Sequence, residues 1–315
     1  MKSTAIIIVN WNGWKDTVEC LESFDWPLTD ADIYIVDNKS TDDSVKQLEN
    51  WLGSHSPGYI ACTPAQLDIH ADAPAPVTLV LNTANQGFAG GNNVILRYLL
   101  RSGHYRYAWL LNNDTVVKKD SLQHLQEYLQ KNDTFAFAGS VLLDYAYPEQ
   151  IQCCGVRYYK YLGVSKLYMK DRIWKEVAEL PPSLPHPTDY FQIGASLLVD
   201  LARLPEIGFM DEAYFMYSEE ADWQIRARKM GYCNGLSWKS VIYHKGTVST
   251  KGRKHLFFYH YNRSAIILAR KNFGRVAALT ASFALTAITM LRTKFRLKES
   301  LYGLKGILSG WQAAR

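Results

Sequence analysis

The sequence predicts an α/β protein built on a twisted, mostly parallel sheet flanked by helices. Three observations predict it. Short unbroken apolar runs recur along the first half of the chain, as strands covered on both faces require. Each is followed by turn residues and then by apolar residues at helical spacing, four times in about 130 residues, the rhythm of βα units. Several runs also end in a carboxylate, an amide or an imidazole. In an open sheet this puts those groups at the carboxyl ends of the strands, where ligands bind.

The elements follow in order. Residues 5–9 form the first run, broken by Asn10, Trp11, Asn12 and Gly13. Residues 15–24 carry Val18, Leu21 and Phe24 on one helical face. Residues 33–36 are a second strand that ends in Asp37 and Asn38, and a helix follows over 43–52. Residues 54–76 are rich in proline, alanine and polar residues and lack a period, which predicts an irregular surface insertion. Residues 77–81 are the third strand. They lead into the glycine-rich turn Asn85-Gln86-Gly87-Phe88-Ala89-Gly90-Gly91-Asn92-Asn93, then a helix through Leu100. Such a turn lets backbone N–H groups approach an anionic ligand, though the spacing is not that of a P-loop or a dinucleotide fingerprint.

The run 107–111 ends in Asn112, Asn113 and Asp114, ahead of a helix over 121–129. A carboxylate beside two amides suits a hard divalent cation holding a diphosphate; the alternative is an Asx turn that closes the strand. Residues 135–143 read as another strand. Residues 152–187, with many tyrosines and prolines, read as a long mobile segment over the site or as a plain exposed loop. Strand character returns over 191–199, where Gly194 and Ala195 leave room for a close neighbour. The apolar run 214–217 is followed by Glu219, Glu220 and Asp222. Carboxylates this close raise at least one pKa, which is useful in a general base; acids are also common at a helix N-terminus. A short strand over 241–244 ends in His244, and a helix runs from Phe257 to about Lys271.

The net charge of +5 hides an asymmetry. Residues 251–315 carry thirteen Lys and Arg against one acid, net +12, which leaves −7 on residues 1–250. Residues 276–291 are uncharged between Arg275 and Arg292. Sixteen residues make a helix of about 24 Å, short of a hydrocarbon core of about 30 Å. Ser282, Thr286, Thr289 and Thr293 form a weakly polar stripe, and a second segment places Leu301, Leu304, Leu308 and Trp311 on one side. Apolar faces around a basic cluster fit helices lying on an anionic membrane surface; the alternative is a helical pair packed on the body or on a second subunit, as in a homodimer. Basic residues interleaved with such helices argue against nucleic acid. The five cysteines have no metal-ligand spacing, and with no signal peptide evident, reduced thiols in the cytoplasm are expected.

Taken together, the motifs resemble the family 2 glycosyltransferases of the inverting, GT-A type, which include bacterial rhamnosyltransferases. The resemblance spans about residues 4–273 and rests on Val9 to Gly13, Val36 to Ser40, Asn85 to Asn93, Leu111 to Thr115, Gly194-Ala195, the block from Phe215 to Arg226, and His244 with Gly246. It implies a GT-A domain over 1–273 and a basic helical tail over 274–315. Asp37 would bind the pyrimidine of a nucleotide-sugar, with Val9 and Asn10 lining that pocket. Asn38, Gly87, Phe88, Asn92 and Asn113 would complete the donor site. Asp114 and His244 would hold Mn2+ or Mg2+. Glu220 would be the catalytic base, with Glu219 and Asp222 beside it, and Gly194, Ala195, Trp223 and Arg226 on the acceptor side.

The resemblance also implies a dTDP- or UDP-sugar donor, rhamnose as the sugar, and a lipid-linked or cell-surface glycan acceptor, as in lipopolysaccharide synthesis. The location implied is the inner face of a bacterial plasma membrane. Two positions depart from the family pattern. Asn112 stands where the metal motif often has an acid, and Glu220 where the base is often Asp. A nucleotidyltransferase and a catalytically silent nucleotide-sugar binder are the competing classes; donor hydrolysis and the nature of the released phosphate separate them.

Overall fold

β1 (Thr4–Asn10) is buried along nearly its whole length, and its alternate residues face two different cores. The computed structural model describes residues 2–314 apart from 27, 29, 71–74, 132, 180–189 and 247–253. Following β1 come α1 (Trp14–Glu22), β2 (Ala31–Asp37), α2 (Ser44–His55), β3 (Ile60–Cys62), β4 (Val77–Leu81), α3 (Gly87–Ser102) and β5 (Tyr107–Asn112). The chain continues through β6 (Thr115–Val117), α4 (Ser121–Gln130), β7 (Phe135–Asp144), β8 (Ile151–Cys153) and the hairpin β9 (Val156–Tyr159) and β10 (Val164–Leu167). Then follow α5 (Trp174–Val177), β11 (Ser196–Asp200), α6 (Leu204–Ile207), α7 (Glu219–Lys229), β12 (Cys233–His244), α8 (Lys254–Thr293) and α9 (Leu297–Ala313).

Among the described residues, ten strands form one sheet in the order β3-β4-β2-β1-β5-β11-β7-β12-β6, with β8 on β7. The β3–β4–β2–β1–β5 half is parallel, as is β7 with β12; β11 runs antiparallel between β5 and β7. Ile6, Ile8, Ile33 and Ile35 pack under α1, α2 and α4, while Ala5, Ile7, Tyr34 and Val36 pack on the opposite face with α3 and α7. Each fully buried Ile contributes about 1.5–3 kcal/mol relative to exposure. This double coverage explains why the strands read as continuous apolar runs.

The structure corrects the sequence reading in four places. Within 54–76, β3 pairs in parallel with β4, so this stretch extends the sheet instead of forming an irregular insertion. The segment 152–187 is built into the fold over its described part. β8 pairs with β7, Cys153 and Cys154 are buried, and Tyr158 Oη donates to the Ala265 carbonyl at 3.0 Å; residues 180–187 lie outside the described residues. The strand expected over 191–199 begins only at Ser196. The strand expected over 241–244 is the end of twelve-residue β12, whose Ser237 and Ser240 are satisfied by the His124 carbonyl (3.0 Å) and Ser140 Oγ (2.8 Å).

α8 breaks at Gly274, whose φ of 90° is left-handed. Beyond it, the polar stripe faces inward. Thr289 Oγ1 accepts from Asn262 Nδ2 at 2.9 Å, Ser282 Oγ accepts from Trp311 Nε1 at 3.0 Å, and Thr293 and Ser300 share a hydrogen bond of 2.8 Å. α9 meets α8 through Gly303, Gly306 and Gly310. The outward face carries Val276, Leu279, Phe283, Leu291, Leu297, Leu301 and Leu308 instead, all exposed. The pair therefore packs on the body of its own chain by one face and leaves the apolar face open.

The same substitution at two helical glycines should have opposite signs. A Cβ on Gly306 would come within 2.3 Å of the Tyr259 carbonyl, whereas one on Gly53 in α2 meets nothing within 4 Å. Gly53→Ala should stabilise by about 0.5–1 kcal/mol. Gly306→Ala should destabilise by about 1–3 kcal/mol despite the better helix former. Urea midpoints at one pH read both.

Candidate functional site

The carboxyl ends of β1, β2 and β5 meet in one hydrogen-bonded rim. Asp37 closes β2, and its Oδ1 accepts from the Ser40 backbone N–H at 2.8 Å. Its Oδ2 accepts from Ser40 Oγ at 2.6 Å and Asn10 Nδ2 at 2.8 Å. Asn10 Oδ1 in turn accepts from Thr17 Oγ1 at 2.9 Å, and Asn113 Nδ2 donates to Thr17 Oγ1 at 3.1 Å. Asn38 ties the rim to the glycine-rich turn, donating to the Gly87 carbonyl at 2.8 Å and accepting from Asn82 at 3.0 Å.

Gly87 sits at φ +70°, and a Cβ there would fall 2.0 Å from the Phe215 carbonyl. That contact lets the Phe88 N–H donate to the same carbonyl at 2.9 Å. The turn is thus clamped against the segment that precedes the acidic helix. Asn92 Nδ2 donates to the Phe88 carbonyl at 2.9 Å, while its Oδ1 has no partner among the described residues.

β6 reverses the chain after Asp114 and pairs antiparallel with β12, setting Thr115 opposite His244. The Lys245 N–H donates to the Asp114 carbonyl at 3.0 Å. His244 Nε2 lies 3.2 Å from Asp114 Oδ1 and 3.3 Å from Asn112 Nδ2. Gln152 orients the ring: its Oε1 is 2.6 Å from His244 Nδ1, and its Nε2 donates to the His244 carbonyl at 3.0 Å. An amide oxygen only accepts, so Nδ1 donates to Gln152, and Nε2 is the ring atom turned toward Asp114 Oδ1. Burial pushes the Asp114 carboxyl up, but His244, a backbone N–H and the Lys245 charge outweigh it and hold it below the usual range.

The acidic pair enters the same rim from the other side. Tyr217 and Ser218 both adopt positive φ, 71° and 69°, and deliver the chain into α7. Glu220 Oε1 accepts from the Gly194 N–H at 3.2 Å, and the Asn112 N–H donates to the Ala195 carbonyl at 3.1 Å. A Cβ on Gly194 would strike the Phe88 ring at 2.7 Å. Through these contacts Glu220 is tied by way of Gly194, Ala195 and Asn112 to His244 and Asp114, and Asp37 by way of Asn10 and Thr17 to Asn113. Glu219 Oε2 and Glu220 Oε2 are buried and lack hydrogen-bond partners among the described residues. Burial, and then the Glu220 charge, push the Glu219 carboxyl well above the usual range. Burial also raises Glu220, opposed by its own N–H and that of Gly194.

Other expected residues lie elsewhere. Trp223 is fully buried against Phe137 and donates to the Gly208 carbonyl at 2.7 Å, so it faces the core and not an acceptor. Arg226 binds the Phe209 carbonyl at 2.6 Å and Asp222 Oδ2 at 3.0 Å. Asp222 also accepts from Asn272 at 2.7 Å, which makes it a brace between α7 and α8. Gln152 and Thr17 were not among the expected residues. A glutamine out of phase inside a short apolar strand was the available signal for Gln152.

Residues 5–150 match the family described as glycosyl transferase family 2. The chain carries a family 2 glycosyltransferase domain. This glycosyltransferase is 22% identical over 307 residues to the low-salt glycan biosynthesis hexosyltransferase Agl10 of Haloferax volcanii, covering 93% of this chain and 85% of that protein. Among solved structures it is similar to the mannosyltransferase PcManGT of Pyrobaculum calidifontis in complex with GDP-Man and Mn2+. There the TM-score is 0.55 at 15% identity, over 99% of this chain and 86% of that one. It is also similar to S. aureus TarS 1–349 in complex with UDP-GlcNAc, with TM-score 0.53 and 15% identity over 100% and 82% of the two chains. These structures share the GT-A-like fold. The family match ends before Gly194, Glu220 and His244.

The raised Glu219 carboxyl has a consequence for stability. A buried acid with a raised folded pKa binds its proton more tightly when folded. Its contribution is fully present below the ordinary value of 4.5 and is lost as pH rises through the raised value. The urea midpoint should therefore fall as pH rises above 4.5, and Glu219→Gln should flatten that fall.

Proposed function

We propose that this glycosyltransferase moves a hexose from a nucleoside-diphosphate sugar to a hydroxyl of a lipid-linked or cell-surface glycan, in a single displacement that inverts the anomeric centre. One observation carries the reading: the carboxylate with the unpartnered, buried Glu220 Oε2 is tied through Gly194, Ala195 and Asn112 to the Asp114–His244 pair. Asp37, already oriented by Ser40 and Asn10, keeps acceptor capacity on Oδ1 for a base N–H. Val9, Asn38, Gly87, Phe88, Asn92 and Asn113 would shape the rest of the donor site.

The residues at Asp114 and His244 fit a divalent cation. An imidazole nitrogen and a carboxylate oxygen 3.2 Å apart suit adjacent ligands on one ion, and Gln152 supplies the outer partner that such a histidine needs. Held there with the donor diphosphate, Mn2+ or Mg2+ would neutralise charge building on the departing nucleoside diphosphate. No third His, Cys, Asp or Glu ligand joins the pair among the described residues, and Asn112 is neutral, so the donor diphosphate would have to supply further ligands.

Glu220 takes the proton of the acceptor hydroxyl as its oxygen bonds to the anomeric carbon and the bond to the diphosphate breaks. Glu219, deeper and more strongly raised, keeps its proton and spares Glu220 a second full charge beside it. Asp222, Trp223 and Arg226 position this helix. The first sugar to test is rhamnose from dTDP, followed by UDP- and GDP-linked hexoses.

The exposed apolar face of α8 and α9 supports docking on an anionic bilayer, at the cytoplasmic face of the plasma membrane. Arg275, Arg292, Lys294, Arg296, Lys298 and Lys305 are all exposed around it. By length and composition α8 is also apolar enough to cross a membrane. Its break at Gly274 and its inward-packed stripe favour lying on the surface.

Glu220→Gln should abolish transfer while the Mn2+-dependent melting shift with the correct donor survives; in Asp114→Ala that shift should be lost. Normal turnover in Glu220→Gln would assign the base elsewhere. Leu279→Ser with Phe283→Ser should keep the donor-induced shift and release the protein from vesicles containing phosphatidylglycerol; co-sedimentation at the wild-type level would refute surface docking.

A further inference from the structure

A cavity of about 650 Å³ opens between the β9–β10 hairpin, the end of α7 and the kink of α8. Glu220 lies in the first turn of α7 and Lys229 in its last, about 13 Å along the axis. The cavity is therefore separate from the donor rim, and no residue of the proposed reaction lines it. Its size suits a small ligand.

The lining combines aromatic walls with cations. Tyr158 and Phe273 stack at 5.9 Å. Tyr161 and Phe273 remain 53% and 36% exposed, an unusual placement for large rings unless something covers them. The cations sit on these rings: Lys160 Nζ is 5.7 Å from the Phe273 centroid and 5.1 Å from that of Tyr161, and the Arg157 guanidinium is 5.4 Å from Tyr159. Lys229 reaches Asn272 Oδ1 at 3.3 Å. Among the described residues no carboxylate lines the cavity, and Arg157, Lys160 and Lys229 make no ion pair. The floor is rigid. Arg228 is held by Asn234 Oδ1 at 2.8 Å and packs over the Phe191 ring at 4.2 Å.

We propose that this cavity is a second ligand site that binds a phosphoester group joined to an apolar or ring portion. Arg157, Lys160 and Lys229 hold the phosphate, and Tyr158, Tyr161 and Phe273 cover the remainder. Three cations with no ion pair among the described residues, concentrated on a body that is otherwise net acidic, select an anion. The aromatic walls favour a phosphoester over inorganic phosphate, because they offer contact area that a bare anion leaves unused. Two sources present this chemistry: a lipid headgroup, whose chains would run on toward Val276 and Leu279, or a soluble sugar phosphate.

Isothermal titration of the full chain decides. The probes are dihexanoyl phosphatidic acid below its micellar concentration, dihexanoyl phosphatidylcholine, glucose 1-phosphate and inorganic phosphate. We expect one phosphatidic acid or one glucose 1-phosphate per chain, bound more tightly than inorganic phosphate; the tighter of the two names the source. The variant Arg157→Ala/Lys160→Ala/Lys229→Ala should weaken that binding by roughly tenfold or more, the equivalent of one lost charge-assisted contact. These side chains are exposed, so the fold should persist, as circular dichroism will report; Lys160→Ala alone serves if it does not. Changing the tail instead, with Lys294→Ala/Arg296→Ala/Lys298→Ala, should leave the affinity unaltered. Binding that survives the cavity variants, that falls only with the tail variant, or that is absent for every phosphoester overturns the site.

Discussion

The cleft depends on one reversal of the chain. After β5 delivers Asn112, the backbone turns through Asn113 and Asp114 and enters β6, which pairs with the end of β12. That pairing carries His244 across more than a hundred residues of sequence and sets its Nε2 against Asp114. Three residues of strand suffice because the ladder is reinforced by the Lys245 N–H on the Asp114 carbonyl and by Gln152 on the ring. Lys245 then anchors this corner to α1 through Asp16 and Glu19, each at 2.5 Å.

Much of this was legible in the sequence, for physical reasons. β1, β2, β4 and β5 are covered on both faces, so they appear as unbroken apolar runs, and a polar residue at the end of such a run has few places to be other than the rim. Asp37, Asp114 and His244 stand at or just past the ends of such runs. β3, β6, β9 and β10 are three or four residues long, too short for a period to register. β12 was truncated because Ser237, Lys239 and Ser240 look like a break, although two of them are satisfied by buried hydrogen bonds. The rotation of α7 about its axis was not legible at all. It buries both an acid and a tryptophan, so its pattern does not say that Trp223 turns inward while Glu220 meets Gly194.

The acidic pair illustrates how a fold tunes chemistry with few charges. Two adjacent glutamates enter a buried corner at the start of α7, after two consecutive residues in left-handed conformation. The deeper carboxyl is raised by burial and by its neighbour, and the shallower one receives a backbone N–H from Gly194. The glycine-rich turn takes part as well. Gly87 admits the Phe215 carbonyl, and Phe88 fills the space beside Gly194. Residues that read as an anion-binding turn therefore also fix where the acids stand.

The glycine contact between α8 and α9 separates two kinds of selection. Gly303, Gly306 and Gly310 join the helices by backbone proximity, and the small polar stripe completes that seam. None of the outward side chains is needed to hold the pair together. If that face docks on a bilayer as proposed, its leucine, phenylalanine, lysine and arginine would be free to drift with the thickness, fluidity and headgroup charge of that surface, while the seam beneath them would stay fixed by backbone contact. Related chains living in different envelopes should diverge fastest on the exposed side of these two helices and slowest along their glycines.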